Sequence, residues 1–171
     1  MIRVVRSDVG ALQAGAVMRS VGSDLEPCSA ADRRLGVDAG VEVLDRLRNS
    51  VELSVGGAVV TPGGNLGAEL LIHVVIRSPE EPVSEERVAR AFRNGLRQAA
   101  QWGVEVLAVP PLGVGAGNLN AETSARVMCS VLEAHLRDSR APQEVLILAS
   151  SDYEEVAFGG EVRRVFEAVQ G

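Results

Sequence analysis

Apolar positions along the chain follow two rhythms, short β-type runs and longer stretches at helical spacing. Residues 1–6 and 14–21 read as strands joined by a turn at Ser7-Asp8-Val9-Gly10. From 30 to 49 the pattern is helical, with Leu35, Val43, Leu44 and Leu47 apolar among charges, and Gly36 and Gly40 predict a break inside it. Strands are predicted over 57–61 and 69–76, with the turn Pro62-Gly63-Gly64-Asn65 between them. The second is nearly continuous in apolar residues, as in a strand buried on both faces.

Ser84 opens the clearest helix as an N-cap followed by Glu85 and Glu86. Val88, Ala91, Phe92, Leu96 and Ala99 then recur at helical spacing, and Gly103 closes the helix. Residues 104–109 form another buried strand. A helix follows over about 120–138, then a strand over 144–149 and a helix reaching about Val169. Strands alternating with long helices predict a single α/β domain over 1–171, a three-layer α/β/α sandwich with parallel central strands.

Composition narrows the choice of function. Of the 171 residues, 46% are hydrophobic and 23% charged, enough apolar surface for a core. Aromatics are confined to Phe92, Trp102, Tyr153, Phe158 and Phe166, which argues against recognition by base stacking. The net charge of −6 likewise argues against a nonspecific nucleic-acid binder, but a small anion held by backbone N–H groups needs no net positive charge. Cys28 and Cys129 lie far apart without CxxC spacing, so neither a disulfide framework nor a structural zinc site is expected. With no apolar run of about 18 residues and no signal-peptide layout at the N-terminus, the expectation is a cytoplasmic protein without a membrane partner. No cofactor or metal ligand set is expected, and the oligomeric state is left open.

The segment with the most chemistry is Pro110-Pro111-Leu112-Gly113-Val114-Gly115-Ala116-Gly117-Asn118. A buried strand, a glycine loop and a helix together make a phosphate-cradling arrangement, because glycine lets N–H groups turn inward and a ligand approach closely. In parallel sheets the crevice at the carboxyl ends of the strands is where ligands bind. A plain connecting turn has the same spacing. The run is neither the dinucleotide fingerprint nor a P-loop, since it lacks the first's spacing and the second's Gly-Lys-Ser/Thr ending.

The stretches Gly57-Ala58-Val59-Val60-Thr61-Pro62-Gly63-Gly64-Asn65-Leu66, Leu71-Ile72-His73-Val74-Val75 and 109–117 resemble the macro domain family in order and spacing. Ser7-Asp8-Val9 falls where the family has Gly-Asp-Ile, and Ala16-Val17 begins the strand that in the family ends in Asn-Ala-Ala-Asn. The resemblance covers nearly the whole chain. It implies a macro-type sheet, mixed and largely parallel, and a module that binds ADP-ribose or an ADP-ribosylated macromolecule; some members hydrolyse ADP-ribosyl esters or O-acetyl-ADP-ribose.

Carried over by residue, the resemblance gives Asp8 the role of accepting from the adenine amino group, which suits an acceptor-only carboxylate. The implied ligand-binding set is Asp8, Val9, Gly22, Ala30, Ala31, Gly113, Val114, Gly115, Ala116, Gly117 and Asn118. The pocket is also eroded. Arg19 and Gly22 replace the two motif asparagines, and Cys28-Ser29-Ala30-Ala31 replaces the first glycine loop, where any left-handed position would be strained. Gly117 and Ala149-Ser150-Ser151 stand where the family often places aromatics, and Tyr153 reaches the adenine only if its loop folds back.

No residue is assigned as catalytic. His73 reads as a packed core histidine, His135 as a helix-end cation without a nameable partner, and Cys129 as core. Cys28 has no histidine near it in sequence, and 79–82 reads as a solvated acidic loop. Three functions follow in order: a binder of ADP-ribose or a related nucleotide diphosphate, an interaction module without ligand, and an ADP-ribosyl hydrolase.

Overall fold

The computed structural model describes residues 1–6, 14–49, 53–115 and 119–167. Along the chain run β1 (Ile2–Val5), β2 (Ala16–Gly22), α1 (Ala30–Ala39), α2 (Val41–Arg48), β3 (Ala58–Pro62), β4 (Leu70–Arg77), α3 (Glu85–Gln101), β5 (Val106–Val109), α4 (Ala121–Asp138), β6 (Glu144–Leu148) and α5 (Asp152–Val162). A π-helical turn, Arg163–Glu167, extends α5.

Among the described residues the strands form one six-stranded sheet in the order β1-β6-β5-β2-β4-β3. Every neighbouring pair is parallel except β3 with β4, which the Pro62-Gly63-Gly64-Asn65 turn joins as antiparallel partners. The sheet is therefore mixed and largely parallel, as expected.

The near-continuous apolar strands split their side chains between two faces. Met18, Ile72, Val74, Leu107, Val109, Val145 and Ile147 pack with α3, α4 and α5 in one cluster. The alternate positions Val17, Leu71, Ala108, Leu146 and Leu148 pack with Leu35, Ala39 and Val43 of α1 and α2 in the other. This period of two makes the sheet the middle of three layers. Each large side chain so buried contributes roughly 1.5–3 kcal/mol.

Caps behave as their residue types dictate. Ser29, Ser84, Asn120 and Ser151 each accept the N–H three residues on, at α1, α3, α4 and α5. The predicted break within 30–49 occurs, and of its two candidate glycines it falls at Gly40. α1 runs through Gly36, and only Gly40, with φ +107°, separates it from α2. Gly36 serves packing: a Cβ there would lie 2.8 Å from Arg19 Nη1. Among the described residues no helix is long and apolar enough to cross a membrane.

Candidate functional site

The carboxyl ends of β1, β5 and β6 and the start of α1 enclose a cleft of about 460 Å³, within the range of small-molecule sites. Ala30, Ala31 and Leu35 line it from α1, Pro110 follows β5, and Leu148, Ala149 and Ser150 end β6. Arg6, Arg34 and Asp38 supply its charged edge. Arg6 is held from α5, 2.5 Å from Asp152 and 3.5 Å from Glu155. Parallel strand order places this opening where ligands bind in such sheets. The small Ala30 and Ala31 leave the first turn of α1 open to close approach.

Gly113 and Gly115 have φ of +84° and +85°, so these two glycines are required by the backbone. A Cβ at Gly115 would lie 3.3 Å from Ser29 Cβ, which puts Gly115 directly against the N-cap of α1. The two loops singled out from sequence thus meet. Helix α4 anchors the second of them: Ser124 Oγ donates to Leu112 O at 2.7 Å, and Leu112 N–H donates to Met128 Sδ at 3.4 Å. Within 28–31 no residue has positive φ; among described non-glycine residues only Leu25 does, so the missing glycines cost this loop no strain.

Gly22 lies at a register shift ending β2. It sits in a turn in which its N–H donates to Glu26 O and its carbonyl accepts from Leu25 N–H. A Cβ there would be 2.7 Å from Asp24 Oδ1, and Gly22 is not among the residues lining the cleft. Gly113, Val114 and Gly115 are not among the residues lining the cleft; Gly115 stands against Ser29, the neighbour of the lining residue Ala30, whereas a Cβ at Gly113 would meet Leu119 and Val88. Asp8, Val9, Ala116, Gly117 and Asn118 lie outside the described residues.

Beneath the cleft lies a buried polar network that reading the sequence missed. Arg19 and His73 are paired in register on β2 and β4, on the face covered by α1 and α2. Arg19 Nε donates to His73 Nδ1 at 3.0 Å, and Nη1 donates to the Asp32 carbonyl at 3.2 Å. Because arginine only donates, His73 Nδ1 accepts; Nε2 then carries the proton toward Thr61 Oγ1 at 2.9 Å. Asp32 accepts from Ser20 N–H at 2.9 Å, Ser20 Oγ at 2.6 Å and Ser29 Oγ at 2.7 Å. The N-cap of α1 is thereby tied to β2. Burial pushes the Asp32 carboxyl up, opposed by these hydrogen bonds and by Arg19. The spacing Ser29-x-x-Asp32 is a capping signature that sequence reading had within reach.

Burial, then the charge of Arg19, pushes His73 down to about 3. The unfolded chain takes up a proton near pH 6.5 and the folded chain does not, so stability falls as pH drops from about 6.5 toward 3. The slope reaches about 1.4 kcal/mol per pH unit. Urea unfolding between about pH 7 and 5.5 is expected to show it in the wild type and to show it reduced in His73→Gln. Equal slopes would refute the assignment.

The remaining candidates resolve simply. Cys28 is buried and its thiol is pushed up to about 11, chiefly by burial, which disfavours the thiolate that a nucleophile needs. Cys129 is buried in the core, its thiol pushed up to about 12. Tyr153 stays exposed on α5 and donates to Glu122 of α4, so it does not fold back over the cleft. His135 has the partner that sequence could not name, Ala141 O at 2.8 Å. Among the described residues no group of His, Cys, Asp and Glu is arranged to hold a metal ion.

A three-layer α/β/α sheet with a cleft at its carboxyl ends, floored by a capped helix and flanked by a left-handed glycine turn, defines the class of α/β module to which this chain belongs. The Macro domain model matches residues 21–128, and the chain belongs to that family. A protein of Aeropyrum pernix is 27% identical over 99% of this chain and 87% of its own length. A Mycobacterium tuberculosis relative is 25% identical over 95% of the chain, which spans 45% of that protein. Among solved structures, the macro domain of ganglioside induced differentiation associated protein 2 superposes with a TM-score of 0.85 at 19% identity, covering 96% of this chain and 84% of that one. An Oceanobacillus iheyensis macrodomain variant solved with ADP-ribose has a TM-score of 0.81 at 18% identity, covering 96% and 92%.

Proposed function

We propose that this chain binds ADP-ribose, free or attached to a macromolecule, in the cleft at the carboxyl ends of β1, β5 and β6. The observation that carries the reading is the contact between Gly115 and the Ser29 cap. It joins a left-handed glycine turn to a helix N-terminus, two sources of inward N–H groups suited to a diphosphate. The Oceanobacillus relative solved with ADP-ribose supports the same ligand class.

Binding is favoured over hydrolysis. Arg19, in place of the first motif asparagine, is buried against Gly36 and does not line this cleft, and Gly22, in place of the second, has no side chain to position a ribose. Incubation with ADP-ribosylated aspartate, glutamate or arginine is expected to release no ADP-ribose above a no-enzyme control.

The direct test is calorimetric titration with ADP-ribose, against AMP and ADP. Saturable ADP-ribose binding with a Kd weaker than about 1 µM is expected. The cleft has Ala149 and Ser150 where a ring would stack, and each absent stack costs roughly 1–3 kcal/mol by analogy with base stacking. No binding at all would leave the interaction-module reading. Asp8→Ala is expected to weaken ADP-ribose more than ribose-5-phosphate, since only the former presents an adenine amino group to a carboxylate. Equal losses would remove Asp8 from the adenine end.

A further inference from the structure

On the outer side of α1, a second cleft of about 150 Å³ lies between the 24–27 turn and helices α1 and α2. Gly36, Val37, Leu44 and Leu47 form its apolar walls, and Arg19 lines it from the sheet. Arg19 is 1% exposed, yet among the described residues no carboxylate lies within ion-pair distance and Nη2 has no hydrogen-bond partner. Its other nitrogens are committed to His73 and to the Asp32 carbonyl. A buried guanidinium stays charged, and an unmet donor on it is costly, so its surroundings favour whatever anion can reach it.

Arg33 and Arg48 line the same cleft. Against these three cations stand Asp24 and Glu26 in the cleft, Asp45 at 3.8 Å from Arg48, and the buried Asp32 carboxyl behind Arg19. Asp24 Oδ1 is occupied by Glu26 N–H at 3.0 Å. We infer that this cleft is a second binding site, for a phosphate-sized oxyanion, with Arg19 at its floor and Arg33 and Arg48 at its rim. Planar guanidinium groups match the oxygens of phosphate, and the cavity exceeds the roughly 30 Å³ share of a single water several-fold. The site is independent of the nucleotide reading, because α1 stands between the two clefts.

The test is a thermal-shift titration of the full chain with inorganic phosphate, against sodium chloride at matched ionic strength, with and without excess ADP-ribose. Saturable stabilisation by phosphate is expected, persisting in ADP-ribose and lost in Arg19→Met. Should Arg19→Met fail to fold, Arg33→Ala/Arg48→Ala decides: it is expected to weaken phosphate at least tenfold. Glu26→Gln, which removes an opposing charge, is expected to strengthen it. A shift equalled by chloride, or unchanged in the arginine variants, would overturn the site. So would Glu26→Gln destabilising the protein without strengthening phosphate, since Glu26 would then be the counter-ion of Arg19.

Discussion

Gly115→Glu is expected to abolish ADP-ribose binding while leaving the protein folded. At φ +85° any side chain costs about 1–2 kcal/mol, and the new Cβ would meet Ser29 Cβ at 3.3 Å. That loss is a fraction of the stability of an ordinary domain. The carboxylate would meanwhile stand against the α1 cap, where the proposed diphosphate lies, and like charges in a poorly solvated crevice repel strongly. Gly115→Ala separates the two effects, because it carries the backbone cost without the bulk or charge. Urea unfolding is expected to show similar losses for both variants, and calorimetry to show residual binding only in Gly115→Ala. Wild-type affinity in Gly115→Glu would move the ligand off this loop.

Asp32→Ala is expected to cost about 3–5 kcal/mol, the largest stability effect of any single substitution considered. It strands Ser20 N–H and Ser20 Oγ in the interior, each unmet group costing about 1–3 kcal/mol, and removes the buried negative charge nearest Arg19. It also frees the Ser29 hydroxyl that caps α1. Because Ser29 touches the glycine turn, ADP-ribose affinity is expected to fall with stability. Denaturant unfolding measures the first effect, and titration well below the unfolding midpoint the second. A loss under about 1 kcal/mol would mean the network contributes little net stability. Asp32→Asn keeps one acceptor oxygen and is expected to lose less.

The element order, the cap at Ser84, the turn at 62–65 and the three-layer class follow from patterns local in sequence. Period two and period 3.6 are set by backbone geometry, and a serine or asparagine caps the helix that begins beside it. The glycine requirement after β5 was legible for the same reason, since left-handed backbone selects glycine wherever it occurs.

What local pattern left open depended on partners distant in the chain. Gly36 reads as a helix break in sequence, but in the fold it makes room for Arg19, a residue on β2. Arg19 itself reads as a lost motif asparagine, yet cross-strand register sets it beside His73 and beneath α1. Asp32 shows only a capping spacing until β2 brings Ser20 to its carboxylate. Likewise, the contact between Gly115 and Ser29 joins loops far apart in the chain. The sequence by itself determined which segments become strands, helices and left-handed turns, because those choices rest on spacing and residue type. Only the tertiary structure decided which charges are buried together and which loops meet, because desolvation and hydrogen-bond satisfaction depend on neighbours that the parallel sheet order brings together.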